Sequence, residues 1–265
     1  FGPIAIPLII ICIISVLIVI KLLIKKLKIS RRMSYLIAIG STVCGTTAIM
    51  ATGPIIKAKK SEIAYAVANM TVFGIIAMLF YPYFANYYFD GDPLFSGLFL
   101  GTSIHETAQV AAAGLIYDQQ FDSPETLNIA TVTKLIRNTF LVIMIPLFAF
   151  LYNRGRKVEK KYSIIKIFPY FVIGFILLIV IRNLGDFYFV NYYAQNNNFW
   201  LEFVNIVGTS AKIFLSMSMA AVGLSTNLKD IKSMGYKPFI VGFVSLLTVG
   251  LVSILSIEFL SNLIS

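Results

Sequence analysis

The sequence predicts an all-α polytopic membrane protein, an inverted-repeat transporter bundle with two re-entrant or discontinuous helical segments. Three observations carry that prediction. The 265-residue chain is 58% hydrophobic with a mean hydropathy of +0.84, well above an ordinary soluble domain. Its lysines and arginines gather in clusters between long apolar runs. Two of those runs are interrupted by near-copies of one small, hydroxylated segment, and irregular backbone at membrane depth needs protein or water partners.

In chain order, residues 3–20 carry no charge and form a candidate span. The basic cluster Lys21, Lys25, Lys26, Lys28, Arg31 and Arg32 follows that apolar core instead of preceding it, which argues against a signal peptide. Phe1 stands where Met would start a protein, so the chain is expected to lack N-terminal helices. The first interrupted segment, about 34–56, ends at Lys57, Lys59 and Lys60. A full span over about 62–81 follows, with Pro82 expected to stop it. The second interrupted segment, about 94–117, lies between Asp90 and Asp92 on one side and Asp118, Asp122 and Glu125 on the other. Four further spans are expected at about 128–152 (kinked at Pro146), 163–183, 199–224 and 238–262.

The positive-inside rule puts Lys26, Lys60, Lys160 and Lys232 in the cytoplasm and Asp92, Asp122 and Asn197 outside. Each interrupted segment then enters and leaves on one side, as a hairpin dipping toward the midplane. Span plus hairpin recurs in inverted orientation, units 3–56 and 62–117, within one transmembrane domain over 1–265. The competing geometry makes each segment a discontinuous helix that crosses the bilayer. The net charge of +10 is read as loop bias, not as a nucleic-acid footprint. Cys12 and Cys44 both fall in membrane segments, and a single histidine gives no metal-ligand spacing, so neither metal nor cofactor is expected.

Aligned at Gly40 and Gly101, the copies share Thr46/Thr107, Ala51/Ala112 and Gly53/Gly114, while His105 and Glu106 stand opposite Cys44 and Gly45. At a helix break, N-terminal amides lack partners and favour an anion. The expected substrate contacts are Cys44, Gly45, Thr46, Thr47, Ser103, His105, Thr107 and Gln109. Glu106, with His105, is the expected coupling site for H⁺ or Na⁺. Lys134 and Arg137, three residues apart on one helical face, either contact the anion or neutralise Glu106. Lys212, in a small-polar stretch, is a further candidate. Arg182 and Glu202 lie near span ends, where side chains snorkel.

Four stretches carry a family resemblance. Gly45-Thr46-Thr47-Ala48-Ile49-Met50-Ala51-Thr52-Gly53-Pro54, Gly101-Thr102-Ser103-Ile104-His105-Glu106-Thr107-Ala108-Gln109-Val110, Ala130-Thr131-Val132-Thr133-Lys134-Leu135-Ile136-Arg137 and Met219-Ala220-Ala221-Val222-Gly223-Leu224-Ser225-Thr226 resemble, in order and spacing, the YeiH-like sulfate-exporter family. Departures are modest: Thr46 and Thr47 replace Ala and Ser, and Gly53 replaces a larger residue. The resemblance implies a multi-pass transporter of the bacterial plasma (inner) membrane with inverted repeats, and members that are longer at the N-terminus.

The expected function is secondary transport of a small anion, sulfate-like or an organosulfonate, as an exporter coupled to H⁺ or Na⁺. Membrane lipid surrounds it, and a homodimer is compatible with its small-residue faces. The alternatives are an anion channel, a non-transporting sensor or an intramembrane hydrolase. The last is disfavoured because His-Glu-x-x-His lacks its second histidine and His105 is poorly placed as a base for Ser103.

Overall fold

The structure is a computed structural model that describes residues 2–153, 170–190, 198–225 and 235–264. Every element among them is a helix. They fall into two compact units, one formed by 2–153 with 235–264, the other by 170–190 with 198–225.

In the first unit α1 (Gly2–Leu27) ends where Lys28 turns left-handed, at φ 52°. Helix α2 (Arg31–Thr42) starts under Ser30, whose side chain accepts from the Met33 amide, the usual N-cap arrangement. Helix α3 (Gly45–Ile55) does not continue α2 but folds back along it. Leu36 Cδ2 lies 3.9 Å from the Cβ position of Gly53, and Ile49 packs over Gly40. On one straight helix residues 36 and 53 would stand about 25 Å apart. Helices α5 (Pro93–Ser103) and α6 (Thr107–Phe121) repeat the arrangement, with the Ser96 and Tyr117 hydroxyls 3.2 Å apart; a continuous helix would separate them by about 30 Å.

Between the hairpins runs α4 (Lys60–Tyr88), and they open at its opposite ends. Lys28, Ser30 and Met33 share a cleft with Lys59, Ser61 and Lys237 at one end. At the other, the Tyr117 hydroxyl bonds Asn86 at 3.1 Å and Tyr83 meets Phe121. Helix α7 (Pro124–Thr139) runs alongside α5. Gly97 and Gly101 let it approach so closely that a Cβ at Gly101 would stand 2.6 Å from the Ala130 carbonyl oxygen. At Phe140 the chain bends by 40° into α8 (Leu141–Asn153), which packs Phe148 and Tyr152 on Tyr35.

After 235, α11 (Lys237–Ile264) runs parallel to α4. Tyr65 bonds Gly235 O and Asn69 bonds Pro238 O, each at 2.8 Å, and Tyr88 bonds Glu258 at 2.5 Å. The second unit holds α9 (Tyr170–Gly185), a π-helical turn (Asp186–Val190) and α10 (Asn198–Ser225). There Trp200 Nε1 and Arg182 Nε both donate to Asp186, and Trp200 stacks on Phe189.

Among the described residues three helices are long and apolar enough to cross a membrane, Ile4–Leu27, Lys60–Tyr88 and Lys237–Asn262, with a fourth if the bent α7–α8 pair is one span. Their exteriors expose large apolar residues such as Ile18, Phe80, Phe150 and Leu255, while Lys134 and Arg137 are fully buried. That inside-out distribution belongs to a protein solvated by lipid.

Two expectations are corrected. Pro82 does not stop its helix, which runs on to Tyr88 because buried Ala77, Pro82 and Ala85 keep the element packed through the proline. The break in the 128–152 span falls at Phe140 and not at Pro146. There the Phe140 amide takes the Arg137 carbonyl in a tighter i−3 bond of 3.2 Å, the 3₁₀ pattern common at helix ends. Lys160, Lys232 and Asn197, three of the topology markers, lie outside the described residues, as does the start of the 163–183 span.

Candidate functional site

The two hairpin tips meet beside Thr71, about halfway along α4. Each tip brings together a helix C-terminus with orphan carbonyls and a helix N-terminus with orphan amides. The carbonyl ends are closed by two cations from one face of α7. Arg137 donates to Ser41 O (2.7 Å), Thr42 O (2.9 Å) and Thr102 O (2.5 Å). Lys134 donates to Val43 O (2.9 Å), Ile104 O (2.9 Å) and His105 O (2.5 Å). An ammonium has three donors, so every one of Lys134's is committed. Cations at helix C-termini also oppose the negative end of the macrodipole.

The gripped carbonyls are paired by the sequence alignment. Ser41 and Thr102 are equivalent positions, as are Val43 and Ile104, and each pair is held by one side chain. The side chains of the first pair are matched too, since the Ser41 hydroxyl meets Ser245 at 3.0 Å and that of Thr102 meets Ser253 at 2.7 Å, both on α11. One backbone bond, Gly45 N to His105 O at 3.2 Å, joins the tips directly.

At the amide ends the pairing breaks down. Glu106 reaches across to the start of α3, where the Thr46 hydroxyl donates to its carboxylate and the Thr71 hydroxyl approaches at 3.4 Å. Its counterpart Gly45 has no side chain to send to α6, and a Cβ there would meet Glu106 Cγ at 3.0 Å. The start of α6 is lined instead by Thr107, whose hydroxyl accepts from Asn138 at 3.0 Å and lies 3.6 Å from Cys44 Sγ; Cys44 is equally close to Thr47. Neither the Cys44 nor the Glu106 cap supplies its own helix with a side-chain bond. His105, 2% exposed, has no partner on either ring nitrogen among the described residues.

Glu106, His105, Lys134, Arg137, Cys44, Gly45, Thr46, Thr47 and Thr107 therefore lie together around the two tips. Glu106 does not pair with either cation; the ion pair found among the described residues is Arg182 with Asp186. Gln109 lies one turn away, donating to Thr71 O at 3.1 Å, with its carbonyl oxygen unpartnered. Ser103 is turned back on its own helix, donating to Phe99 O at 2.5 Å, which removes it from the tip. Lys212 falls on α10 in the other unit, and its side chain lies outside the described residues. Sequence reasoning missed Thr71, Ser245 and Ser253; their only signal was hydroxyls inside otherwise apolar helices.

This architecture, an all-helical bundle with apolar exteriors and a buried ionic junction, defines a multi-pass membrane protein. The chain belongs to the family described as "Conserved hypothetical protein 698", whose profile matches residues 1–242, and this is the YeiH-like family to which the motifs point. A UPF0324 membrane protein of Fusobacterium nucleatum is 34% identical over 97% of this chain and 76% of its own length. One of Streptococcus agalactiae is 30% identical over 96% of this chain and 72% of its own. One of Yersinia pestis is 35% identical over 77% and 54%. No solved structure matches the chain.

Proposed function

We propose that this chain is the core of a secondary transporter for a small anion, sulfate-like or an organosulfonate, working as an exporter coupled to H⁺ or Na⁺. The observation that carries the reading is the matched bracing of the two tips, Arg137 on Ser41 and Thr102, Lys134 on Val43 and Ile104. One cation gripping equivalent carbonyls of both copies is what inverted repeats (3–56 and 62–117) would produce around a local two-fold axis. Re-entrant hairpins from opposite membrane faces fit the same pattern, and discontinuous segments at a repeat interface are where transporters bind substrate.

The charges then divide into two roles. Lys134 and Arg137 are positioning residues that hold the carbonyl ends, leaving the amide ends of α3 and α6 to favour an anion. Glu106 fills the first of these with the protein's own carboxylate. The second, beside Thr107, Cys44 and Thr47, receives the substrate, with His105 as the nearby group able to move a proton. Protonation or cation binding at Glu106 would loosen its hold on α3 and couple the gradient to movement of the first hairpin.

Radiolabelled sulfate and taurine fluxes in proteoliposomes of the full-length protein test this reading. The expected result is saturable exchange driven by a pH or Na⁺ gradient. Unsaturable conductance would favour a channel, and no flux of any small anion would remove the reading.

A further inference from the structure

Away from the hairpin tips, a cleft of about 540 Å³ opens between α1, α2 and α8, within the size range of small-molecule sites. Its walls are apolar, formed by Leu17, Ile20, Ala38, Leu147, Phe148 and Leu151. Its mouth lies at the basic end, where α1 finishes and α2 begins. The charged residues lining it are Lys21, Lys25 and Arg31, without an acid among them. The separate cleft at the same end of α4 differs in holding Glu62 among its lysines.

Arg31 is fixed in place before any ligand arrives. Its Nη2 donates to Tyr152 O at 2.8 Å, and its guanidinium lies 5.8 Å from the Tyr35 ring centre and 5.1 Å from that of Tyr152. Lys21 and Lys25 are one turn apart on α1, exposed, on the face that meets the cleft. From Lys25 down to Leu17 the wall descends about 12 Å, enough to take the upper part of an acyl chain. Basic pockets between transmembrane helices on the cytoplasmic side suit anionic headgroups, and aromatic rings such as Tyr35 and Tyr152 sit well at that depth.

We infer that this cleft is a binding site for an anionic phospholipid, with one acyl chain against Leu17, Ala38 and Leu147 and the headgroup phosphate on Lys21, Lys25 and Arg31. The inference is independent of what the hairpin tips transport. A zwitterionic lipid would place its own ammonium among three cations, so the site discriminates by headgroup charge.

The test is native mass spectrometry of the full-length protein with dioleoyl phosphatidylglycerol or dioleoyl phosphatidylcholine added from detergent. Each lysine near an anionic surface is worth about fivefold in affinity. Wild-type protein should prefer phosphatidylglycerol by roughly tenfold or more, and Lys21→Ala with Lys25→Ala should cut that preference by about fivefold or more. Lys26→Ala with Lys60→Ala, at the same end but outside the cleft, should leave it unchanged, and Ala38→Leu should weaken both lipids by filling the wall. Equal binding of the two lipids to wild type would overturn the assignment. So would a preference undiminished in the Lys21/Lys25 pair, as expected if another segment or a second copy covers the cleft.

Discussion

Lys134→Met is the perturbation that separates a bracing cation from a substrate ligand. Methionine keeps most of the stem and removes all three donors. The Val43 and Ile104 carbonyls, each bonded at 2.9 Å, would then be left without partners in a fully buried place, while the His105 carbonyl would keep its bond from the Gly45 amide. A buried acceptor stripped of its bond costs about 1–3 kcal/mol, giving about 2–6 kcal/mol for two. Removing a buried cation also relieves its desolvation, several kcal/mol in the opposite sense. The net expectation is a loss of about 1–3 kcal/mol, or a fall of roughly 5 °C in apparent Tm at this chain length. Thermal unfolding of the detergent-solubilised protein, followed by intrinsic fluorescence, reads it. Lys134→Arg should recover part of the loss by restoring donors. A Lys134→Met protein of wild-type stability that has lost only anion affinity would refute the bracing role.

Four further outcomes are expected. Glu106→Gln should keep anion exchange while losing its response to the pH or Na⁺ gradient; an unchanged response in folded protein would make the acid a structural cap for α3. Gly74→Ala drives a methyl group into the Gln109 amide and should destabilise by about 1–3 kcal/mol, with Gln109→Ala in the same chain restoring most of it in the same unfolding assay. Single cysteines replacing Lys26 and Lys60 should react with an impermeant maleimide from the cytoplasm and those replacing Asp92 and Asp122 from outside; opposite sidedness of the first two would exclude a hairpin over 31–55. Asp186 is held below the range of an ordinary aspartate, about 3.9, by the Trp200 indole first and then by Arg182. Its bonds are present above the unfolded pKa and lost as pH falls through the lowered folded one. Fluorescence of Trp200, the single tryptophan of this chain, should follow that step, and a midpoint at or above 3.9 would contradict the contact.

The positions of the two helix breaks, after Thr42 and after Ser103, were legible because glycine and hydroxyl residues interrupt apolar runs at places where lipid would penalise them, and the duplication repeats the interruption. The charge pattern expects the first segment to open at a basic end, and Lys28, Lys59 and Lys237 line one cleft at the start of α4. The partners of Lys134 and Arg137 were not legible. Six backbone carbonyls carry no residue signature, so the sequence offered Glu106 as the obvious counter-charge. Pro82 and Pro146 misled for a related reason: proline weights local geometry, whereas packing around Ala77 and Ala85 and the tighter turn at Phe140 decided the helices. Ser245 and Ser253 carry no signal beyond a hydroxyl in an apolar span, although both tips rest on them.

Whether an anion rests between the tips is tested most directly at Cys44, which lies 3.6 Å from both Thr47 and Thr107 and is 7% exposed. In full-length protein whose other cysteines are replaced by serine, the rate of Cys44 alkylation by a small maleimide is measured against rising concentrations of sulfate and taurine, with chloride holding ionic strength constant. A saturable slowing by one of these anions, absent in Thr107→Val, is the predicted result. A rate indifferent to every anion, in protein that still folds and reacts, would contradict the site.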